Sequence, residues 1–214
     1  MSEQTDTPEE NIEKDTIYYD QRSIALRTTQ SIYFVKEHDK ATMLLLLLND
    51  YKKKQVVIVV KSKKKADALS ELLKSKEFNA TTVHGNHRET QQQEAASKFN
   101  NGTLHIIITT DMILKTLALE NIKLVVSYDL PDMPQGYYNR LATMKEIGVG
   151  MALVSPEDEY NLDEIEHNMK KEIEEKTVEG FVATATPAHT NKTKKDRTKK
   201  PRHRKNKIRK DTSI

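Results

Sequence analysis

The sequence predicts an α/β fold: a three-layer α/β/α sandwich around a mostly parallel sheet, with disordered termini. Three observations carry this. Short β-branched runs such as QVVIVV (55–60) and LHIIIT (104–109) are almost continuously apolar, as strands covered on both faces must be. They alternate with longer segments of helical periodicity, which supply the crossovers a parallel sheet needs. Both ends of the chain are strongly polar and hold few residues from which to build a core.

Residues 1–16 form an acidic leader, expected to be disordered and unlike a secretory signal. The compact domain is expected over 17–180. QSIYFV (30–35) reads as a strand. DKATMLLLLLNDY (39–51) reads as a helix, apolar almost all round and therefore well buried. QVVIVV is the next strand. KKADALSELLKS (64–75) follows as a helix with Ala66, Leu69, Leu72 and Leu73 on one face. ATTVH (80–84) is a short strand. ETQQQEAASKFNNG (89–102) is a helix stopped by Gly102. LHIIIT, IKLVVSYD (122–129) and GMALVS (150–155) read as strands. EDEYNLDEIEHNMKKEIEEK (157–176) carries apolar residues at 162, 165, 169 and 173, spaced for one amphipathic helix. Residues 181–214 are expected to be a disordered basic tail.

Composition narrows the function classes. There is no cysteine, so disulfides and thiolate metal sites are excluded. No apolar run approaches the roughly 20 residues of a membrane span; MLLLLL (43–48) has core-helix length. A cytoplasmic protein without membrane contact is expected. The net charge of +3 conceals an asymmetry: residues 187–214 carry 12 Lys/Arg and 2 Asp, a net +10, and the first 186 residues carry 23 Lys/Arg and 30 Asp/Glu, a net −7.

In open α/β sheets ligands sit at the carboxyl ends of the strands. Four of these ends are polar: Lys61-Ser62, His84-Gly85-Asn86, Thr109-Thr110-Asp111 and Asp129-Leu130-Pro131. Each has a plain structural reading as well. Ser62 or Thr110 can N-cap the following helix, Gly85 can serve a turn, and Asp129 can close one. Together they form a candidate polar rim. The sequence contains no phosphate-binding Gly-x4-Gly-Lys-Ser/Thr loop, no Gly-x-Gly-x-x-Gly and no Gly-x-Ser-x-Gly. His84 and His87 are three residues apart, but no ligand pattern accompanies them, so no metal site and no catalytic residue is assigned. The tail points to polyanions. Lys194, Lys195, Arg197, Lys199, Lys200, Arg202, Arg204 and Lys205 can neutralise phosphates by counterion release. With no aromatic residue to stack on bases, the tail should grip backbone without sequence preference.

The ordered segments SIYFV, QVVIVVKSKKKADAL, TTVHGN, FNNG, IIITTD, VVSYDLPDMPQGYYNR and GMALVS resemble, in order and spacing over about Thr28 to Glu159, the second (C-terminal) RecA-like domain of DEAD-box RNA helicases, most closely the bacterial RhlE-type group. The resemblance implies RNA, single-stranded or structured, as partner. It implies RNA contacts from Lys61, Ser62, the Gly85-Asn86 turn and Thr110. It gives Asp111, Asp129 and Arg140 a residual nucleotide-side or interdomain role. In such helicases the first RecA-like domain holds the nucleotide, so ATP and Mg enter only if this chain pairs with a first domain; alone it needs no cofactor.

The departures from the family pattern shape the expectation. Lys115, Thr116 and Ala118 stand where the fifth motif has Arg, Gly and Asp. In the sixth, Arg140 remains, Asn139 replaces His, and Thr143 and Glu146 replace the two later arginines. Glu89 and Gln92 replace a Gln and an RNA-contacting Arg. An arginine finger contributes roughly 10³–10⁵ in rate, so a stand-alone, degenerate RNA-binding domain without ATPase activity is expected. Two alternatives stay open: a C-terminal half or regulatory partner of a DEAD-box helicase, and an interaction protein recruiting ribosome or RNA-decay components.

Overall fold

A computed structural model describes residues 23, 25, 26, 28–144 and 148–184. The expected acidic leader, Glu146 and the tail lysines and arginines lie outside the described residues. The strands are β1 (Thr29–Phe34), β2 (Val56–Val59), β3 (Ala80–Val83), β4 (Ile106–Thr109), β5 (Leu124–Ser127), β6 (Val149–Val154) and β7 (Glu174–Glu175). The helices are α1 (Lys40–Leu48), α2 (Lys63–Ser75), α3 (Glu89–Asn100), α4 (Asp111–Leu114), α5 (Pro134–Ala142) and α6 (Glu159–Met169). The seven strands form one sheet in the order β3-β4-β2-β5-β6-β1-β7, and every pairing is parallel.

Alternation along the strands divides the core into two layers. Val57, Val59, Ile107, Val125 and Ala152 point to one face, where they meet Phe99 of α3, Leu114 of α4, Tyr137 and Leu141 of α5, and Leu162 and Ile165 of α6. Val56, Ile58, Ile106, Ile108, Val126 and Leu153 point to the other, against Leu44 and Leu48 of α1 and Ala66, Leu69 and Leu73 of α2. The three isoleucines of β4 are all fully buried because both faces of the sheet are covered. Truncating one of them to alanine would cost about 2–5 kcal/mol.

Two elements depart from the sequence-based expectation. The segment 157–176 is not one helix. α6 ends at Met169 because Lys170 takes a left-handed conformation (φ 54°), and β7 then pairs with β1. Ile173 still reaches the core, 6% exposed, but from extended chain. α5 was not marked by periodicity. Pro134 at its first turn starts it, and its buried residues are mostly Tyr and Arg rather than aliphatic. The apolar helix 39–51 is α1 flanked by single 3-10 turns at Glu37–Asp39 and Asn49–Tyr51.

Register fixes the functional edge. Val59 lies opposite both Thr109 and Ser127, and Thr109 lies opposite Val83. The carboxyl ends of β3, β4, β2 and β5 therefore finish level. All four candidate segments leave the sheet on that edge.

Candidate functional site

Ser62 follows β2 in extended conformation and N-caps α2, its hydroxyl accepting the Lys65 N–H at 3.2 Å. Such a cap contributes about 1 kcal/mol. The plain reading of Ser62 is thus realised, with its hydroxyl oxygen used as an acceptor. Thr110 occupies the equivalent position before α4, but its hydroxyl makes no cap bond. Its carbonyl accepts the Ile113 and Leu114 N–H groups instead. The half-buried Thr110 hydroxyl has no hydrogen-bond partner among the described residues.

The turn after β3 presents Gly85 and Asn86, both exposed. Lys63, at the start of α2, reaches across to it: its Nζ donates to Asn86 Oδ1 at 2.7 Å. A Cβ on Gly85 would sit 3.7 Å from that Nζ, in ordinary contact. Lys63 was missed in the sequence, although the run KSKKKAD signalled an amine at this helix start. The N-terminus of a helix is a favourable place for an anion, and Lys63, the Gly85-Asn86 turn and Thr110 border the same stretch of edge.

The other half of the edge is closed on itself. Asp129 accepts from the Lys61 N–H through Oδ2 at 2.9 Å and from Lys65 Nζ through Oδ1 at 2.8 Å. Lys40 Nζ lies 2.8 Å from Asp158 Oδ2, 3.0 Å from Glu37 and 3.7 Å from Asp129, with its side chain fully buried. A buried ammonium is costly unless it is paired and hydrogen-bonded; three carboxylates do this here. Burial opposes ionisation of Asp158, yet Lys40 and Ser155 outweigh it and hold the carboxyl below its usual range. Burial likewise opposes the charge on Lys65, and Asp129 and Glu37 outweigh it, so this amine holds its proton above the ordinary lysine range. The Tyr128 phenol is pushed up to about 12, first by burial and then by Glu37 and Asp129. Lys61 Nζ turns to Asp132 Oδ1 at 2.8 Å.

Arg140 of α5 is 0% exposed. Its Nε and Nη2 donate to the two carboxylate oxygens of Asp111, each at 2.6 Å, and Nη1 donates to the Asp129 carbonyl at 2.6 Å. This fork-to-fork pair, with the carbonyl bond, gives each of the three guanidinium nitrogens an acceptor inside the domain. Beside it a cleft of about 250 Å³ is lined by Leu114, Lys115, Pro131, Asn139, Asp111 and Arg140 among others. Gly136 lets α5 approach this wall, since a Cβ there would meet Pro131 Cβ at 2.8 Å. Thr143 donates its hydroxyl back to the Arg140 carbonyl at 2.6 Å, and Asn139 accepts from Gln135 at 3.2 Å. Glu89 and Gln92 are spent within α3 and its entry, accepting from Gln93 and donating to the His87 carbonyl respectively. Ala118 offers no side-chain acceptor, and its carbonyl receives Asn100 Nδ2 at 2.8 Å.

Among the described residues, no group of three or more His, Asp or Glu side chains is placed to hold a metal ion. Nor is any helix of the described residues long and apolar enough to cross a membrane.

Comparison with known proteins agrees with the geometry. Residues 39–144 match the helicase conserved C-terminal domain. The chain is 34% identical over 83 residues to the ATP-dependent RNA helicase vasa of Drosophila melanogaster, covering 39% of this chain and 13% of vasa. It is 30% identical over 117 residues to the ATP-dependent RNA helicase FAL1 of Mycosarcoma maydis, covering 53% of this chain and 30% of FAL1. It therefore spans less than a third of either relative. In fold it is similar to the E. coli DEAD-box protein SrmB in its structure bound to regulator of ribonuclease activity A (TM-score 0.68, 17% identity, covering 74% of this chain and 98% of that one). It is similar also to a DEAD box protein from Methanococcus jannaschii (TM-score 0.67, 24% identity, covering 72% and 43%). The C-terminal domain of Dbp5 gives a TM-score of 0.64 at 23% identity, covering 70% and 91%.

Proposed function

From the premise that the described domain is a single RecA-like helicase domain resembling the C-terminal domain of DEAD-box helicases, we propose that the chain is an RNA-binding module that does not hydrolyse ATP by itself. One contrast carries this reading. Arg140 is consumed by Asp111 and the Asp129 carbonyl, while next to Asp111 the Thr110 hydroxyl has no hydrogen-bond partner among the described residues. The nucleotide-facing half has spent its cation internally; the RNA-facing half keeps donors for phosphate.

In this reading Thr110, Ser62, Lys63 and the Gly85-Asn86 turn contact RNA backbone weakly, with Lys61 adding charge at the same edge. Lys194, Lys195, Arg197, Lys199, Lys200, Arg202, Arg204 and Lys205 supply most of the affinity by counterion release. Degeneracy of the fifth and sixth motifs, an RhlE-type affiliation and a cytoplasmic setting are parts of the same proposal, supported by the sequence. The test is polarisation binding to single-stranded RNA across a salt series, with and without residues 187–214. Each phosphate contact contributes about 0.7 to the log–log salt slope, so the deletion should flatten it by several units and lower affinity. Unchanged affinity and slope would sink the tail's role. RNA-stimulated ATP turnover by the chain alone would overturn the non-catalytic reading.

The small share of its relatives that this chain spans supports a second reading. The chain would then act with a separate first RecA-like domain or a whole helicase, with ATP and Mg entering through that partner. Turnover that appears only when a homologous first domain is added would favour it.

A further inference from the structure

The turn that follows β3 is tied by two imidazoles, and their partners fix where each proton sits. His84 Nε2 lies 2.9 Å from Asp67 Oδ1, and its Nδ1 accepts the Asn86 N–H at 3.3 Å. Neutral His84 is therefore protonated on Nε2. His87 Nδ1 accepts the His84 N–H at 3.1 Å, which puts the proton of neutral His87 on Nε2 as well. The two rings stack with centroids 4.2 Å apart and planes 27° apart. A bond from the His87 N–H to the His84 carbonyl, 2.9 Å, closes the turn. What this clasp holds out is Gly85 and Asn86.

An imidazolium has two donors and no acceptor. Protonating His87 turns its Nδ1 from the acceptor of the His84 N–H into a donor facing it. Protonating His84 does the same to the Asn86 N–H. Two imidazoliums at this separation would also repel each other. The charged groups facing the turn are Asp67 of α2, hydrogen-bonded to His84, Lys63, also of α2 and 2.7 Å from Asn86 Oδ1, and Arg88, the next residue in the chain. α3 contributes the neutral Gln92 amide, bonded to the His87 carbonyl at 2.9 Å, and α4 the apolar Ile113 beside Gly85.

We propose that His87 is a positioning residue for the RNA-facing turn: its neutral ring locks Gly85 and Asn86 in place, and its protonation releases them. The weak RNA contact by the body is then greater when the imidazole is neutral than when it is charged. The inference rests on the RNA-facing reading of this edge given above, but the clasp is measurable without RNA.

The experiment uses the full ¹⁵N-labelled chain. Long-range ¹H–¹⁵N spectra report the tautomers of His84 and His87, and hydrogen exchange reports protection of the His84 amide. We expect both rings as Nε2–H tautomers at neutral pH. Protection of the His84 amide, corrected for intrinsic exchange, should fall about tenfold when His87 protonates, the loss of about one hydrogen bond. His87→Phe keeps the ring stack and removes the acceptor, so protection should be low at every pH. His87→Asn places an oxygen acceptor where Nδ1 was, so protection should persist and lose its pH dependence. A Nδ1–H tautomer at His87, or an amide indifferent to pH and to His87→Phe, would overturn the clasp. Adding oligouridylate then tests the link to binding: shifts at the Gly85 and Asn86 amides should shrink on acidification in the wild type and not in His87→Asn. If the clasp behaves as described while those amides never respond to RNA, the RNA-facing reading fails and the clasp stands.

Discussion

The two halves of the sheet's carboxyl edge are built from the same materials and have opposite character. On the β2–β5 side, Lys40, Lys65 and Arg140 face Glu37, Asp129, Asp158 and Asp111, and each charge is matched at close range. On the β3–β4 side, Lys63 leans on a neutral amide and the Thr110 hydroxyl makes no cap bond and has no partner among the described residues. The difference teaches that residue type alone does not make a ligand site. A guanidinium whose three nitrogens all find acceptors inside the domain contributes to the fold; an amine held by an amide can exchange that bond for a phosphate.

Substitutions can break this comparison in order of expected effect. Lys40→Met should be the most damaging. Its partners Asp129 and Asp158 have side chains 4% and 10% exposed, and stranding buried carboxylates costs about 3–5 kcal/mol. Urea denaturation measures it. Arg140→Met should follow at about 2–3 kcal/mol. Asp111 is 38% exposed, so water can compensate part of the loss. Were Arg140 held for a ligand rather than for the fold, its removal would leave the urea midpoint nearly unchanged.

The pH limits sharpen the same contrast with opposite signs. The lowered Asp158 carboxyl gives stability that is present above the ordinary carboxylate range and lost as pH falls through its depressed value. Asp158→Asn should flatten the acid limb of the stability curve. The raised Lys65 amine gives stability that is complete below the ordinary lysine value and lost as pH rises through its higher one. Lys65→Met should flatten the alkaline limb. The smallest effect is expected from Lys63→Ala. Its stability should change by less than about 0.5 kcal/mol, while on the proposed RNA-binding reading RNA affinity at low salt falls by about two- to fivefold, the size of one exposed charge contact. A large loss of stability would move Lys63 into the closed half.

Much of the fold was legible because a doubly covered parallel sheet writes itself as β-branched runs. β2, β4 and β5 fall within such runs, and Gly102 stops α3 with φ 79°, as its position implied. α5 was hidden because Pro, Gly and two tyrosines blur its period. The break after Met169 was hidden because Ile173 keeps helical spacing while reaching the core another way. The rim was legible as four polar strand ends. Its division into open and closed halves was not. Lys40 meets Asp158 across 118 residues and Arg140 meets Asp111 across 29, pairings that only the sheet order creates. At Ser62 the plain reading is met, its hydroxyl capping α2.

The position of β1 has a consequence for how the protein is made. Among the described residues, Thr29 to Phe34 find their strand partners in Val149 to Val154 and Glu174-Glu175. At a synthesis rate of about 5–20 residues per second, β1 waits roughly 6–25 seconds after emerging before its neighbour exists. During that interval Ile32 and Tyr33 belong to an unpaired apolar strand, the kind that seeds aggregation. The sheet can assemble outward from β2, β4 and β5 while its earliest strand is still unpaired. A ribosome stalled shortly before Val149 would therefore hold a nascent chain whose first strand is a ready substrate for chaperones, and one stalled well after Glu175 would not.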